Sequence, residues 1–218
     1  MGEYRRKTKI ICTIGPASCD KETLKKLMLE GMDVARFNFS HGDYDTFEKW
    51  FSNVVEVREK LGIPVATLLD TKGPEIRIGS FESENGIVLK RGQTFTLTTD
   101  DIKGNNERCS VSFKGLPKEV KKGTTILIDD GLIALEVEEI KNEDILCKVI
   151  DGGVVTDHKG VNVPNVSLSL PYLSDKDMQD LNFGAQMGFD FIAASFCRTG
   201  ADIAYLRNFC HALGWNDV

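Results

Sequence analysis

Apolar positions recur along the chain with two different periods, and the switches between them mark three stretches. In the first, "TKIICTIGP" reads as a strand that stops at a Gly15-Pro16 turn. "DKETLKKLMLEGM" places Leu24, Leu27 and Met28 on one helical face, with Gly31 as C-cap. "DVARFNFS" is the next strand. "DYDTFEKWFSNVVEVREKLG" then repeats the helical period through Trp50, Val54, Val57 and Leu61 and stops at Gly62. "IPVATLLD" is a third strand. Strand and helix alternating at this spacing predict a parallel sheet with right-handed crossovers.

The helical period disappears over 71–170. Short runs rich in Val, Ile, Thr and Phe replace it, among them "GIVLKRGQTFTLTT", "TTILIDDGLIALEVEEI" and "ILCKVIDGGVV". Asp130-Gly131 and Asp151-Gly152 read as hairpin turns. This stretch predicts an all-β insert, a small barrel or sandwich. The α/β rhythm resumes over 171–218. Ser174 with Asp177 forms an acidic capping box ahead of a helix whose buried stripe is Met178, Leu181 and Ala185. "FDFIAASF" is a fourth strand, and Thr199 with Asp202 caps a last helix. The expected organisation is a parallel α/β domain over 1–70 and 171–218, interrupted by a β domain over 71–170. Four parallel strands do not close a barrel, so this is either an open sheet or the front half of a larger fold.

Composition narrows the function classes. A formal net charge of -6 gives no basic field for nucleic acid, despite Arg5, Arg6, Lys7 and Lys9 near the start. No apolar run approaches bilayer length. The six cysteines contain no CxxC and the histidines no zinc spacing, so reduced core thiols are expected and not a metal or disulfide framework. A cytoplasmic protein without nucleic-acid or membrane partners fits these features.

Ligands in parallel sheets bind at the carboxyl ends of strands. There the second strand offers Asn38, Ser40 and His41, the third Asp70, Thr71 and Lys72, and the fourth Ser195 and Arg198. Asn38, Ser40 and Asp70, with Thr71, would give hard oxygens with a single negative charge, which suits a monovalent cation better than calcium. The other reading of the same residues is a set of turn caps. Arg36 shares the parity of Asn38 and Ser40, and a guanidinium in such a place wants a carboxylate or a phosphoryl group. Arg77 and Lys159 stand near the two ends of the insert, as polyphosphate-binding cations or as solvated charges. Turn or loop formation suffices to explain His41, His158, Asp129 and Asp130. GxGxxG after a strand, the P-loop, HExxH and GxSxG are all absent.

Seven blocks carry a resemblance: "KTKIICTIGPAS", "GMDVARFNFSHG", "LLDTKGPEIRIG", "ILIDDGLI", "HKGVNVPN", "LPYLSDKD" and "FIAASFCR". In this order and spacing the chain resembles the pyruvate kinase family over essentially its entire length. The resemblance implies a (β/α)₈ TIM barrel, present here as its first four strands, with a mobile β-barrel lid inserted after strand three. It implies transfer of the phosphoryl group of phosphoenolpyruvate to ADP, giving pyruvate and ATP. Arg36 is similar to the family's substrate-phosphoryl arginine. Asn38, Ser40, Asp70 and Thr71 resemble potassium ligands, and Asn38, His41, Arg77 and Lys159 resemble contacts to the nucleotide phosphates. Glu75 matches the glutamate of potassium-dependent members, and Phe196 a residue lining the pocket. The family's magnesium ligands, its enolate-stabilising lysine and its proton-delivering threonine would follow Val218. The expectation is therefore a potassium- and magnesium-dependent, homotetrameric parent, and a 218-residue piece that is inactive alone and self-associates. The alternative is a short, non-catalytic phosphate- or nucleotide-binding module.

Overall fold

The computed structural model describes residues 7–40, 42–166 and 168–218. The chain divides into two compact units, one ending at Pro74 and resuming over Pro171–Val218, the other Glu75–Leu170.

The first unit is built from β1 (Ile11–Thr13), α1 (Lys21–Glu30), β2 (Val34–Asn38), α2 (Tyr44–Leu61) and β3 (Ala66–Asp70). Asp20 caps α1 by accepting from the Thr23 amide at 2.9 Å, and Gly31 ends it at φ 108°. Asp43 and Gly62 do the same for α2. After the insert come α4 (Asp175–Met187), β13 (Phe191–Ala193) and α5 (Gly200–Ala212), and both of these helices carry a complete capping box. The sheet order is β1-β2-β3-β13, all parallel, with Thr13 beside Arg36 and Asn38 beside Asp70. This is the strand and helix sequence of the first half of a (β/α)₈ barrel.

Alternation along β2 sends Ala35 and Phe37, both fully buried, toward the helices and leaves Arg36 and Asn38 on the other face. Behind the sheet the core is aromatic. Phe39 stacks on Phe47 at 4.3 Å between centroids, and Phe37 meets Phe189 edge-on at 5.2 Å. Edge and offset contacts of this kind add about 0.5–1.5 kcal/mol each to the burial term. Two helical faces differ from the expected ones. The buried line of α2 is Phe47, Phe51, Val54 and Val57, with Trp50 and Leu61 at its half-buried margin. On α4 the buried positions include Asp177 and Asp180 as well as Leu181 and Gly184, and Ala185 is only half-buried. Asp180 is fully enclosed, accepting from Tyr44 Oη at 2.8 Å and from Lys176 Nζ at 2.8 and 2.9 Å. Burial pushes its carboxyl up, against the pull of the Lys176 and Tyr44 bonds. Burial and the neighbouring carboxylate together push Tyr44 up to about 12.

Among the described residues the second unit contains nine strands: β4 (Ile76–Arg77), β5 (Ile87–Leu89), β6 (Thr94–Thr98), β7 (Arg108–Ser110), β8 (Thr125–Ile128), β9 (Ile133–Lys141), β10 (Asp144–Asp151), β11 (Gly153–Val155) and β12 (Gly160–Asn162). A single helical turn, α3 (Leu116–Glu119), has Pro117 in its first turn; β-periodicity gave no sign of it. Seven strands form one sheet in the order β4-β12-β8-β9-β10-β6-β7, antiparallel except for β6-β7, and β5 pairs separately with β11. Its core is mainly aliphatic, with Phe81 and Phe95 buried among the branched side chains, Cys109 and Cys147 enclosed, and burial pushing both thiols up to about 12. All six cysteines are free.

Asp130-Gly131 does join two strands: Ile128 pairs with Ile133, and Asp129, Asp130 and Gly131 all turn through positive φ. Asp151-Gly152 does not form a hairpin. The chain there leaves β10 for β11, whose partner is β5. A Cβ at Gly152 would lie 2.3 Å from the Leu89 carbonyl oxygen, so glycine at this position serves a close backbone approach. The tightest hairpin is Asn142-Glu143, where Lys141 pairs with Asp144 and Asn142 supplies φ 57°.

Candidate functional site

At the carboxyl ends of the parallel strands, backbone register builds a continuous polar network. Arg36 donates from Nε to Asp70 Oδ2 at 2.8 Å, from NH2 to the same oxygen, and from NH1 to Thr13 Oγ1 at 2.7 Å. The other Asp70 oxygen accepts from Ser195 Oγ at 2.7 Å. Strands β1, β2, β3 and the segment after β13 are thus joined through one carboxylate and one guanidinium. Asp70 is buried, whereas the Arg36 side chain keeps 32% exposure. The remaining N–H groups on its two terminal nitrogens stay available to an anion.

Two of the expected oxygen donors, Asn38 and Asp70, stand side by side at the carboxyl end of the sheet. Asn38 and Asp70 are register partners, and the Phe39 amide donates to the Asp70 carbonyl at 3.0 Å. Asn38 Oδ1 accepts from the Ser40 amide at 3.1 Å, the turn cap anticipated as one reading. Thr71 Oγ1 donates to the Ala193 carbonyl and accepts from the Ser195 amide, both at 3.2 Å. Asp70 supplies one negative charge, already shared with Arg36, and the other donors are neutral. That weak field suits a monovalent cation and not calcium, which favours several carboxylates. Among the described residues no group of three or more His, Cys, Asp or Glu is gathered for a metal. His41 lies outside the described residues.

The loop after β3 is held tightly. Gly73 adopts φ 68°, and a Cβ there would stand 2.6 Å from the Ser195 carbonyl oxygen and 3.2 Å from the Phe196 ring. Phe196 itself has φ 54°, a conformation costly for a bulky side chain, and remains 47% exposed. Such local strain concentrates at ligand sites.

In the second unit, Arg77 on β4 and Lys159 just before β12 are brought together, since Arg77 pairs with Gly160. Arg77 Nε donates to Glu75 Oε2 at 2.8 Å and NH1 to the His158 carbonyl at 2.5 Å. Lys159 Nζ pairs with Asp129 Oδ1 at 3.0 Å. Asp129 is therefore both a turn residue and an ion-pair partner. His158 Nε2 and Ser80 Oγ are 3.2 Å apart. Both cations are only about a third exposed, held by single acidic partners.

Sequence reasoning did not single out Asp177 beyond its helix cap. Its carboxylate, fully buried, also accepts from the Gly73 amide at 3.0 Å. Thr13 lies within the first strand's run and Ser195 at the end of the fourth, and their bonds to Arg36 and Asp70 become visible once the register is known.

A family model described as "Pyruvate kinase, barrel domain" matches residues 5–218. A pyruvate kinase of Clostridium perfringens is 44% identical over 214 residues, 98% of this chain and 45% of the relative. One from Geobacillus stearothermophilus is 45% identical over 210 residues, covering 95% and 36%. The crystal structure of a pyruvate kinase from Cryptosporidium parvum superimposes with a TM-score of 0.85 at 43% identity, over 94% of this chain and 42% of that one. The chain thus spans less than half the length of these relatives.

Proposed function

Since the chain belongs to the pyruvate kinase family, we propose that it is the part of a longer cytoplasmic enzyme that holds the phosphoryl donor. The parent protein transfers the phosphoryl group of phosphoenolpyruvate to ADP, giving pyruvate and ATP. The observation that carries the reading is the Arg36 fork, fixed by Thr13 and Asp70 at the carboxyl end of a parallel sheet and still partly open.

Arg36 binds and orients the transferred group. Its two fixed sides remove the conformational freedom that an unrestrained arginine would lose on binding. Asn38, His41, Arg77 and Lys159 contact the nucleotide phosphates. Arg77 and Lys159 have N–H donors to spare and would reach phosphate oxygens while keeping Glu75 and Asp129, so that no carboxylate is left unpaired. Asn38, Ser40, Asp70 and Thr71 hold potassium, and Glu75 sets the dependence on it. When bound, that ion supplies positive charge near the site where two anionic substrates meet. Phe196 lines the pocket and Gly73 keeps it narrow. Magnesium would bind through residues outside this chain, and the assembled protein is a homotetramer. Among the described residues no helix is long and apolar enough to cross a membrane.

Steady-state kinetics on the parent protein test this. Arg36→Ala, Arg77→Ala and Lys159→Ala should each lower kcat/KM by about 2–4 kcal/mol of transition-state stabilisation, the loss typical of one donor to developing charge. Values near wild type at subsaturating phosphoenolpyruvate and ADP would remove these residues from the site. Absence of turnover in the wild-type parent would support the binding-module alternative.

A further inference from the structure

Asp177 is fully buried, and among the described residues no cation pairs with it and its donors, the Gly73 amide and Ser174, are neutral. One oxygen accepts from the Ser174 amide at 3.0 Å and from Ser174 Oγ at 2.6 Å, which is one half of the α4 capping box. The other accepts from the Gly73 amide at 3.0 Å. Capping the helix needs only the first set. Gly73 and Ser174 lie close to the two points where the chain leaves and rejoins the first unit, at Pro74 and Pro171. One carboxylate thus ties down both.

Gly73 also lies in the loop that starts at Thr71, directly after Asp70 at the end of β3, and leads to Glu75. On its far side this loop is stitched to the segment after β13 by the Thr71–Ala193 and Thr71–Ser195 bonds, and Gly73 has no room to shift toward Ser195. The Asp177 bond closes the remaining side. Without it the Gly73 amide would be a buried donor lacking a partner, and the loop would move to find one. Displacements of this size near reacting groups cost rate well beyond their cost in stability.

We propose that Asp177 is a positioning residue, a buried anchor that sets the β3 loop, and with it the potassium donors Asp70 and Thr71, where the chain leaves the first unit. The functional half of this proposal rests on the reading given above; the anchoring half does not.

Two variants of the parent protein separate anchoring from capping. Ser174→Ala removes the hydroxyl side of the cap and leaves the Asp177–Gly73 bond intact. Asp177→Ala removes both. A purely structural role lowers thermal stability in both and leaves their kinetic constants alike. The anchor predicts that only Asp177→Ala speeds hydrogen exchange in the peptide containing Gly73, by about tenfold for one lost bond to a charged acceptor. It also predicts that only Asp177→Ala raises the half-saturating potassium concentration and lowers kcat/KM, by about ten- to a hundredfold. Asp177→Asn, which keeps the volume but offers one acceptor oxygen for two sets of donors, serves if the alanine variant does not fold. It should shift the potassium requirement in the same direction, by less. Unchanged exchange at Gly73 in the Asp177 variants overturns the anchor. Faster exchange with unchanged potassium activation and kcat/KM overturns its role in positioning. If the wild-type parent shows no potassium effect, the metal assignment fails while the exchange measurement still decides the anchor.

Discussion

Breaking the Arg36–Asp70 pair should cost unequal amounts from its two sides. Asp70 has a side-chain exposure of 11% and Arg36 one of 32%. In Arg36→Met the apolar stem is replaced at similar length, and the buried carboxylate is left with Ser195 Oγ as its remaining side-chain donor. Stripping one partner from a fully buried pair costs about 3–5 kcal/mol. Solvent reaches a third of Arg36 and one hydrogen bond survives, so the expected loss is about 1–3 kcal/mol. In Asp70→Asn the stranded group is the guanidinium, which is more open to water and keeps Thr13. There the loss should be about 0.5–1.5 kcal/mol. Urea unfolding of the parent protein, followed by circular dichroism and by tryptophan fluorescence from Trp50 and Trp215, provides the assay where the two probes coincide. The double variant should cost less than the sum of the single ones by more than the ~0.5 kcal/mol expected of independent sites. Equal losses, or a fully additive double variant, would show that solvent and not the pair sets the energetics.

The donors at Asn38, Ser40, Asp70 and Thr71 should make the parent protein dependent on a monovalent ion of potassium's size. Replacing potassium by tetramethylammonium at constant ionic strength should depress turnover, and Glu75→Lys should weaken the requirement by placing an ammonium nearby; unchanged turnover in both tests contradicts the assignment. Tyr44, pushed up to about 12 mainly by burial and then by its bond to Asp180, resists ionisation more when folded than when unfolded. Its contribution to stability is present below its ordinary value near 10 and is lost as pH rises toward about 12. Thermal denaturation of wild type and Tyr44→Phe between pH 9 and about 12 should therefore show a shallower alkaline decline in the variant; parallel curves would exclude the effect.

Local signals were the most legible. Ser174 with Asp177, Thr199 with Asp202, Gly31 and Gly62 mark helix ends through bonds made within a few residues, and all appear where their spacing put them. The four parallel strands were equally plain, because each carries its own apolar run. The exact stripe of α2 was less so, since Phe47, Trp50, Phe51 and Val54 give two overlapping faces and only packing against Phe37 and Phe189 chooses between them. Asn142-Glu143 lacks the glycine that usually announces a tight hairpin, while Asp151-Gly152 has one for a different reason. Partners distant in sequence were the least legible. Arg36 could be seen to need a counter-charge, but choosing Asp70 requires the β2–β3 register. Asp180 reads as a surface residue of α4 until Tyr44, from another helix, is placed over it.

The pairing of β13 with β3 also sets a timetable. During synthesis the outer edge of β3 is complete when Asp70 has been made, but its partner arrives only about 120 residues later, after the whole insert. At roughly 5–20 residues per second the delay is about 6–24 s. Hairpins form in about 1–10 μs, so the insert has ample time to fold first. Meanwhile β3 waits with its edge unpaired and Leu69 lacking the cover of α4, a surface that invites association with other nascent chains. Ribosome-associated chaperones should therefore engage this chain most strongly while the second unit is being made, and release it once Phe191–Ala193 emerges.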